Sequence, residues 1–180
     1  MQPSQMFDHR LNPLKGWPSP YALDKAKEVG TATEEQGIRA GMVIHIDAAT
    51  QLFKRGLPGN QMPIFAWNDY ASFDTMGGDD GNISLQGNMK GLSGMVATGA
   101  FELQTTEFVT GQTYSPNTAL TVNNAAGDDL GKVTPGNFYA DVICGVVSDG
   151  QSTNANGSSV VAFWSYFLPS LHIQESSSLV

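Results

Sequence analysis

Two segments near the C-terminus restrict the fold of this 180-residue chain more than any others. Val142-Ile-Cys-Gly-Val-Val-Ser148 and Val160-Val-Ala-Phe-Trp-Ser-Tyr-Phe-Leu168 are hydrophobic at both phases of a strand alternation. A strand apolar on both faces must be covered on both, by its own fold or by neighbouring copies. Asp149–Gly157 between them reads as a long polar hairpin loop, and Pro169 ends the second strand.

The remaining periodicity agrees with an all-β chain. Phe101, Leu103 and Thr105 alternate with Glu102, Gln104 and Thr106, and Ala119-Leu-Thr-Val122 resumes the alternation after a Pro- and Asn-bearing turn at 113–118, so that 101–122 reads as a strand pair. Met42, Ile44 and Ile46 alternate with Val43, His45 and Asp47 before a turn at 47–50 and the segment Gln51–Arg55, a hairpin pattern. Met62–Trp67 is a short apolar strand, Leu130–Thr134 another, and Pro135-Gly136 a turn.

Residues 1–38 read differently. Prolines at 3, 13, 18 and 20 oppose continuous ladder pairing, and Phe7, Leu11, Leu14, Trp17, Tyr21 and Leu23 are scattered as single anchors. One short helix is expected, with Ser19 as N-cap, Pro20 at its first position, Leu23, Ala26 and Val29 along a stripe, and Gly30 as its stop. The chain therefore divides into an extended N-terminal arm (1–38), a β body (39–168) and a C-terminal tail (169–180). A terminal arm with little core of its own needs something to tie it down, which suggests a partner.

Charge and cysteine content narrow the function classes. Only 14% of residues are charged, against about 25% in an average soluble domain, so the surface is unusually neutral. Residues 1–60 hold seven basic and six acidic groups, and residues 61–180 two basic and eleven acidic, a net −9. An acidic body repels phosphate backbones, which argues against a nucleic-acid partner. The single Cys144 excludes an intrachain disulfide and a cysteine-based zinc site, and its apolar neighbours make it a small core hydrophobe. No apolar run reaches the length of a membrane span, and the N-terminus lacks the pattern of a signal peptide, so the expectation is a protein made in a reducing cytosol without a membrane partner.

No reactive constellation stands out. His9, His45 and His172 are dispersed, and His45 shares a strand face with Asp47, a spacing that arises readily by chance. Asp69, Asp74, Asp79 and Asp80 among Gly77, Gly78 and Gly81 could surround a calcium ion, but the regular ligand spacing is missing and a solvated acidic loop is the simpler reading. Phosphate-loop, dinucleotide and nucleophile-elbow motifs are missing, so no catalytic, cofactor-binding or metal residues are singled out.

The order of short motifs carries a resemblance. Ala40-Gly-Met-Val-Ile-His-Ile-Asp47 is followed by Gly99-Ala-Phe-Glu-Leu103 and Tyr114-Ser-Pro-Asn-Thr-Ala-Leu-Thr-Val122. Gly131-Lys-Val-Thr134, Val142–Ser148 and a closing hydrophobic strand come next. This order, over about residues 38–168, resembles the head decoration proteins of tailed bacteriophages, the capsid-stabilising or cement proteins with a β-tulip fold, of which lambdoid phages have a small example. The longer aromatic arm and the segment 68–81 depart from that pattern.

The resemblance implies a compact β-tulip-like barrel or sandwich of short antiparallel strands and a homotrimer at threefold and quasi-threefold sites on the outer surface of the capsid. It implies no enzymatic activity and no cofactor. Its partner would be the major capsid protein, met by the arm through Phe7, Leu11, Leu14, Trp17, Tyr21 and Leu23. The alternative is a carbohydrate- or receptor-binding β module of a virion, such as a head fibre or tail-associated adhesin, with loops 68–81 and 149–157 as its sites. A hydrolase using His45 and Asp47 is a third reading.

Overall fold

In a computed structural model the chain is described at residues 11–15, 21–23, 38–49, 53–59, 61–67, 92–96, 101–155 and 157–169. Every regular element among these residues is a β-strand. In order they are β1 (Leu11–Lys15), β2 (Tyr21–Leu23), β3 (Val43–Ile46), β4 (Phe53–Arg55), β5 (Ile64–Ala66) and β6 (Leu92–Val96). There follow β7 (Glu102–Thr105), β8 (Ala119–Val122), β9 (Val133–Pro135), β10 (Ile143–Thr153) and β11 (Ser159–Leu168). They form a six-stranded sheet ordered β1-β7-β11-β10-β8-β9 and a five-stranded sheet ordered β2-β6-β5-β3-β4, with antiparallel pairing throughout.

The long β10–β11 hairpin lies at the centre of the larger sheet, as its two apolar phases require. Its ladder continues past the bulge between Val147 and Gly150 and pairs Gly150 to Thr153 with Ala162 to Ser159. The expected loop of 149–157 is thus strand as far as Thr153, and Asn154 N–H donates to Ser158 O at 2.9 Å beyond it. Polar side chains did not prevent this, because ladder bonds come from the backbone and the extra bulge residues re-aim the chain.

The strands before and after the 113–118 turn are correctly placed, but they are not a pair. β7 and β8 flank the central hairpin instead, separated by β11 and β10. Residues leaving β7 run to the far side of the sheet, where Phe108 forms a parallel bridge with Val133 of β9. Val133 N–H donates to Glu107 O at 3.1 Å and Val109 N–H to Val133 O at 3.0 Å. The larger sheet therefore curls back on itself, and this seam removes the open edge that β9 would otherwise leave. Tyr114 clamps the seam, its hydroxyl lying 2.7 Å from Val109 O and 3.2 Å from Val133 O while its ring meets Phe108 edge-on.

One core joins the two sheets. Val43, Leu57 and Phe65 from the smaller sheet and its turn pack with Leu11, Leu103, Leu120, Val122, Val133, Val147, Val161 and Phe163 from the larger. Phe65 and Phe163 meet across it with ring centroids 5.5 Å apart. β3 is buried on both phases: Val43 faces this core, while Ile44 joins a second cluster with Ile38, Phe53 and Ala66. At the corner between the sheets, Val43 N–H donates to Gly131 O at 2.8 Å. Gly131 has φ +86°, and a Cβ there would lie 3.0 Å from Val43 O, so the approach excludes a side chain. Asn124 adds a tie from 67 positions away, accepting Leu57 N–H at 2.7 Å and donating to Leu57 O at 3.1 Å.

Two stretches of the N-terminal segment, expected as an extended arm tied down by a partner, pair with this chain's own sheets. β1 pairs with β7, and β2 pairs with β6, so each forms one outer strand of a different sheet. Pro13 is accommodated because β1 lies at an edge and its register shifts between Pro13 and Lys15, where a missing N–H costs least. The strand at Tyr21–Leu23 also replaces the first turn of the expected 19–30 helix, because extended backbone there completes the β6 ladder. The rest of that helix, the acidic segment 68–81 and the tail beyond 169 lie outside the described residues.

Leu11→Ala is expected to destabilise the chain by about 2–3 kcal/mol, since a buried leucine is lost from a site that its edge position lets partly collapse. Thermal unfolding measures it, and an unchanged melting temperature would show that β1 is not docked. Tyr114→Phe keeps the ring and removes the seam hydroxyl, a cost of about 1 kcal/mol. Burial pushes the Tyr114 phenol up to about 12. Its neutral form therefore stabilises the fold below the ordinary tyrosine value of about 10, and that stability is lost as pH rises towards 12. Melting temperature across this window should fall more steeply for the native chain than for Tyr114→Phe.

Candidate partner-binding face

The two sides of the larger sheet differ in what they present. On β11, Val161 and Phe163 point into the shared core, while Trp164 and Tyr166 fall on the other phase and are 38% and 44% exposed. On β8, Leu120 and Val122 point into the core and Thr121 faces outward. β9 and β10 flank β8 and both run antiparallel to it, so residues 136–142 must cross β8 to connect them. They cross on the outer side: a Cβ on Gly136 would sit 2.8 Å from Thr121 Cβ, and Thr121 Oγ1–H donates to Val142 O at 2.9 Å.

This crossover projects Phe138 and Tyr139, which are 39% and 78% exposed. The loop that carries them is internally bonded. Asn137 N–H donates to Asp141 Oδ2 at 2.8 Å, Tyr139 N–H to Asn137 Oδ1 at 2.9 Å, and Ala140 and Asp141 N–H to Asn137 O at 3.2 and 2.9 Å. Register relates the start of this crossover to Trp164. Trp164 lies opposite Val146, Val146 opposite Ala119, and Ala119 O accepts Gly136 N–H at 2.9 Å. The Trp164 backbone is thus about 10 Å from that of Ala119, two strand spacings away.

At the β1 side of the same face, Lys15, Glu102 and Trp164 lie in one row across three strands. Lys15 Nζ is 2.7 Å from Glu102 Oε2 and 5.3 Å from the Trp164 ring centroid. The Lys15 ammonium beside it holds the Glu102 carboxyl below its usual range. This row fastens β1 to the sheet by charge and cation–π attraction, where the bulged backbone alone would hold it weakly.

Of the six anchors expected in the arm, Leu11 is 5% exposed and belongs to the core, so it is not open to a partner while β1 is docked. Leu14, at the β1 bulge, is 48% exposed. Tyr21 and Leu23 belong to β2, and Phe7 and Trp17 lie outside the described residues. Phe138, Tyr139, Trp164 and Tyr166 were not singled out. Their signal was present in part, since Trp164 and Tyr166 share one phase of a strand whose other phase already supplies a core.

His45 and Cys144 have structural partners, while His9 and His172 lie outside the described residues. His45 is buried and its Nδ1–H donates to Gly56 O at 2.9 Å, tying β3 to the turn after β4. Asp47 pairs with Lys54 at 3.7 Å. Cys144 is fully buried, its Sγ 3.4 Å from Leu120 O, and burial pushes its thiol up to about 12, which leaves almost no thiolate at neutral pH. Among the described residues no group of three or more histidine, cysteine or acidic side chains could hold a metal ion, and no helix is long and apolar enough to cross a membrane.

Lys15→Met keeps the stem beside Trp164 and removes the charge. The Glu102 titration midpoint, followed by carboxyl-carbon NMR, should rise towards the ordinary glutamate value. In the native chain the ion pair contributes stability above that value and loses it as pH falls through the depressed one, so acid should loosen β1. A Glu102 midpoint unaffected by the substitution would rule out the pairing. No family model, curated protein or solved structure matches this chain.

Proposed function

We propose that this protein is a non-enzymatic capsid decoration protein that binds the outside of a tailed-phage head and stabilises the expanded shell. The observation that carries the reading is the outer face of the larger sheet, which presents Phe138, Tyr139, Trp164 and Tyr166 on hydrogen-bonded elements. Exposing large aromatics there contributes nothing to the chain's own core, and aromatic side chains held in place are efficient anchors for another surface. The all-β architecture and the motif order from Ala40 to Leu168 support the same reading.

In this reading the protein is made in the host cytoplasm, binds the major capsid protein and sits on the virion surface as a homotrimer at threefold and quasi-threefold sites. A ligand that binds only the assembled, expanded shell stabilises it by the binding free energy, repeated over many sites. The N-terminal segment contributes by fixing both sheet edges, with Leu14 open to contact.

A carbohydrate- or receptor-binding module is the second reading, favoured by the exposure of Tyr139 and Trp164. Lys15, however, stands 5.3 Å from the Trp164 ring centroid on the face where a sugar would stack. Shells of the phage that encodes this chain, heated with and without the protein, are expected to release their genome at a higher temperature when it is bound. Equal release temperatures would refute decoration, and specific hits on a glycan array would favour the second reading.

A further inference from the structure

The sheet edge at which β1 docks demands more of its occupant than β1 has to give. β7 is covered like an interior strand, with Glu102, Leu103 and Thr105 all buried. β11 pairs with it on one side and β1 on the other. With that second side vacant, its backbone groups there would lose their ladder, and the Glu102 carboxylate would lose the Lys15 ammonium 2.7 Å away. β1 is held by little in return. Leu11 is the residue it gives to the core, the register breaks between Pro13 and Lys15, and Pro13, Leu14 and Lys15 are all exposed. Pro13 also has no N–H to offer the ladder.

The same edge defines the chemistry that fills it. An occupant strand must set an apolar side chain opposite Thr105 and a cation opposite Glu102 that also lies against the Trp164 ring, as Leu11 and Lys15 do. Residues 11–15 of a second copy carry those side chains at that spacing. Only residues 16–20 separate β1 from β2, the outer strand of the smaller sheet, so one short stretch of chain fills both edges. Residues 24–37 then lead to Ile38 of the second core cluster. A connection of that length can span about 45 Å, roughly the width of a domain of this size, so it can carry the stretch to an adjoining copy.

We propose that the outer edge of β7 is a binding site for residues 11–15 of a second copy, so that copies of this chain associate by exchanging their N-terminal strands. The exchanged contacts repeat those of the closed chain, so exchange costs little beyond association itself and increases with concentration. The row of Lys15, Glu102 and Trp164 sets the register in either form. A slip of one residue would turn Lys15 to the core face and leave Glu102 without this cation. Strand exchange concerns how copies hold one another and does not depend on the decoration reading.

The test uses two preparations of the full chain, one carrying Asn12→Cys and the other Gln104→Cys, at positions directly opposite across β1 and β7. Opposed residues of an antiparallel pair lie within disulfide range, and Cys144 is buried and does not compete. The two are mixed at high concentration, incubated below the melting temperature and mildly oxidised. A disulfide between position 12 of one chain and position 104 of another is expected, identified by peptide mass spectrometry, with a yield that rises with protein concentration. The native sequence gives a second readout that needs no substitution. In a mixture of isotope-labelled and unlabelled chains, filtered NMR should show contacts between Leu11 of one copy and Thr105 of another.

A mixture without the 12–104 link between chains, together with native chains that show no contact between copies from Leu11 to Thr105, would overturn strand exchange. A chain that stays monomeric at every concentration would do the same. Association in which positions 12 and 104 link only within a doubly substituted chain would assign the contact to another surface, such as the face of Phe138 and Tyr139, and overturn it as well. None of these results bears on whether the chain binds phage shells, which the heating experiment decides separately.

Discussion

The fold depends on the burial of a hairpin that is apolar on both phases. β10 and β11 cannot lie at an edge, so they form the middle of the larger sheet, and the other strands are arranged around them. Their inner phase supplies Val147, Val161 and Phe163, and Phe163 meets Phe65 of the smaller sheet. Because β7 and β8 are displaced to either side of the hairpin, the chain between them must travel across the molecule. That path closes the seam at Val133 and brings Tyr114 onto it.

The same arrangement produces the outer face. Once Val161 and Phe163 are committed to the core, strand alternation sends Trp164 and Tyr166 outward, and the crossover over Thr121 carries the exposed Phe138 and Tyr139. The polar groups near this face are used internally: Glu102 binds Lys15, and Asp141 caps its own loop. An exposed apolar patch whose polar neighbours are satisfied internally is the kind of surface that contacts another molecule. Buried His45 and Cys144 are each engaged by a backbone carbonyl in the interior.

The two edge strands from the N-terminal segment bear on the stability of both sheets. β1 fills a core position with Leu11 and leaves Leu14 and Lys15 at the surface. Reading this segment as a detached arm followed from its prolines. An edge strand needs hydrogen bonds on one side only, however, and a bulge absorbs the irregularity at Pro13. Composition can show that a segment is a poor central strand, but it cannot show whether a vacant sheet edge is waiting for it.

Strand existence was legible wherever alternation was clear: at Met42–Ile46, Ile64–Ala66, Phe101–Thr105, Ala119–Val122 and the closing hairpin, local periodicity determined the element. The chain of residues by itself also determined the acidic body, the single buried thiol and the need to cover both phases of the last two strands. Only the tertiary structure decided which strands are neighbours, because pairing joins residues as distant as Leu11 and Thr105 and no local pattern encodes it. Tertiary structure likewise decided that Trp164 and Tyr166 remain open while Val160 and Ala162, on the same phase, are buried. Exposure at a given phase is set by what crosses above it, and that depends on the path of chain segments remote in sequence.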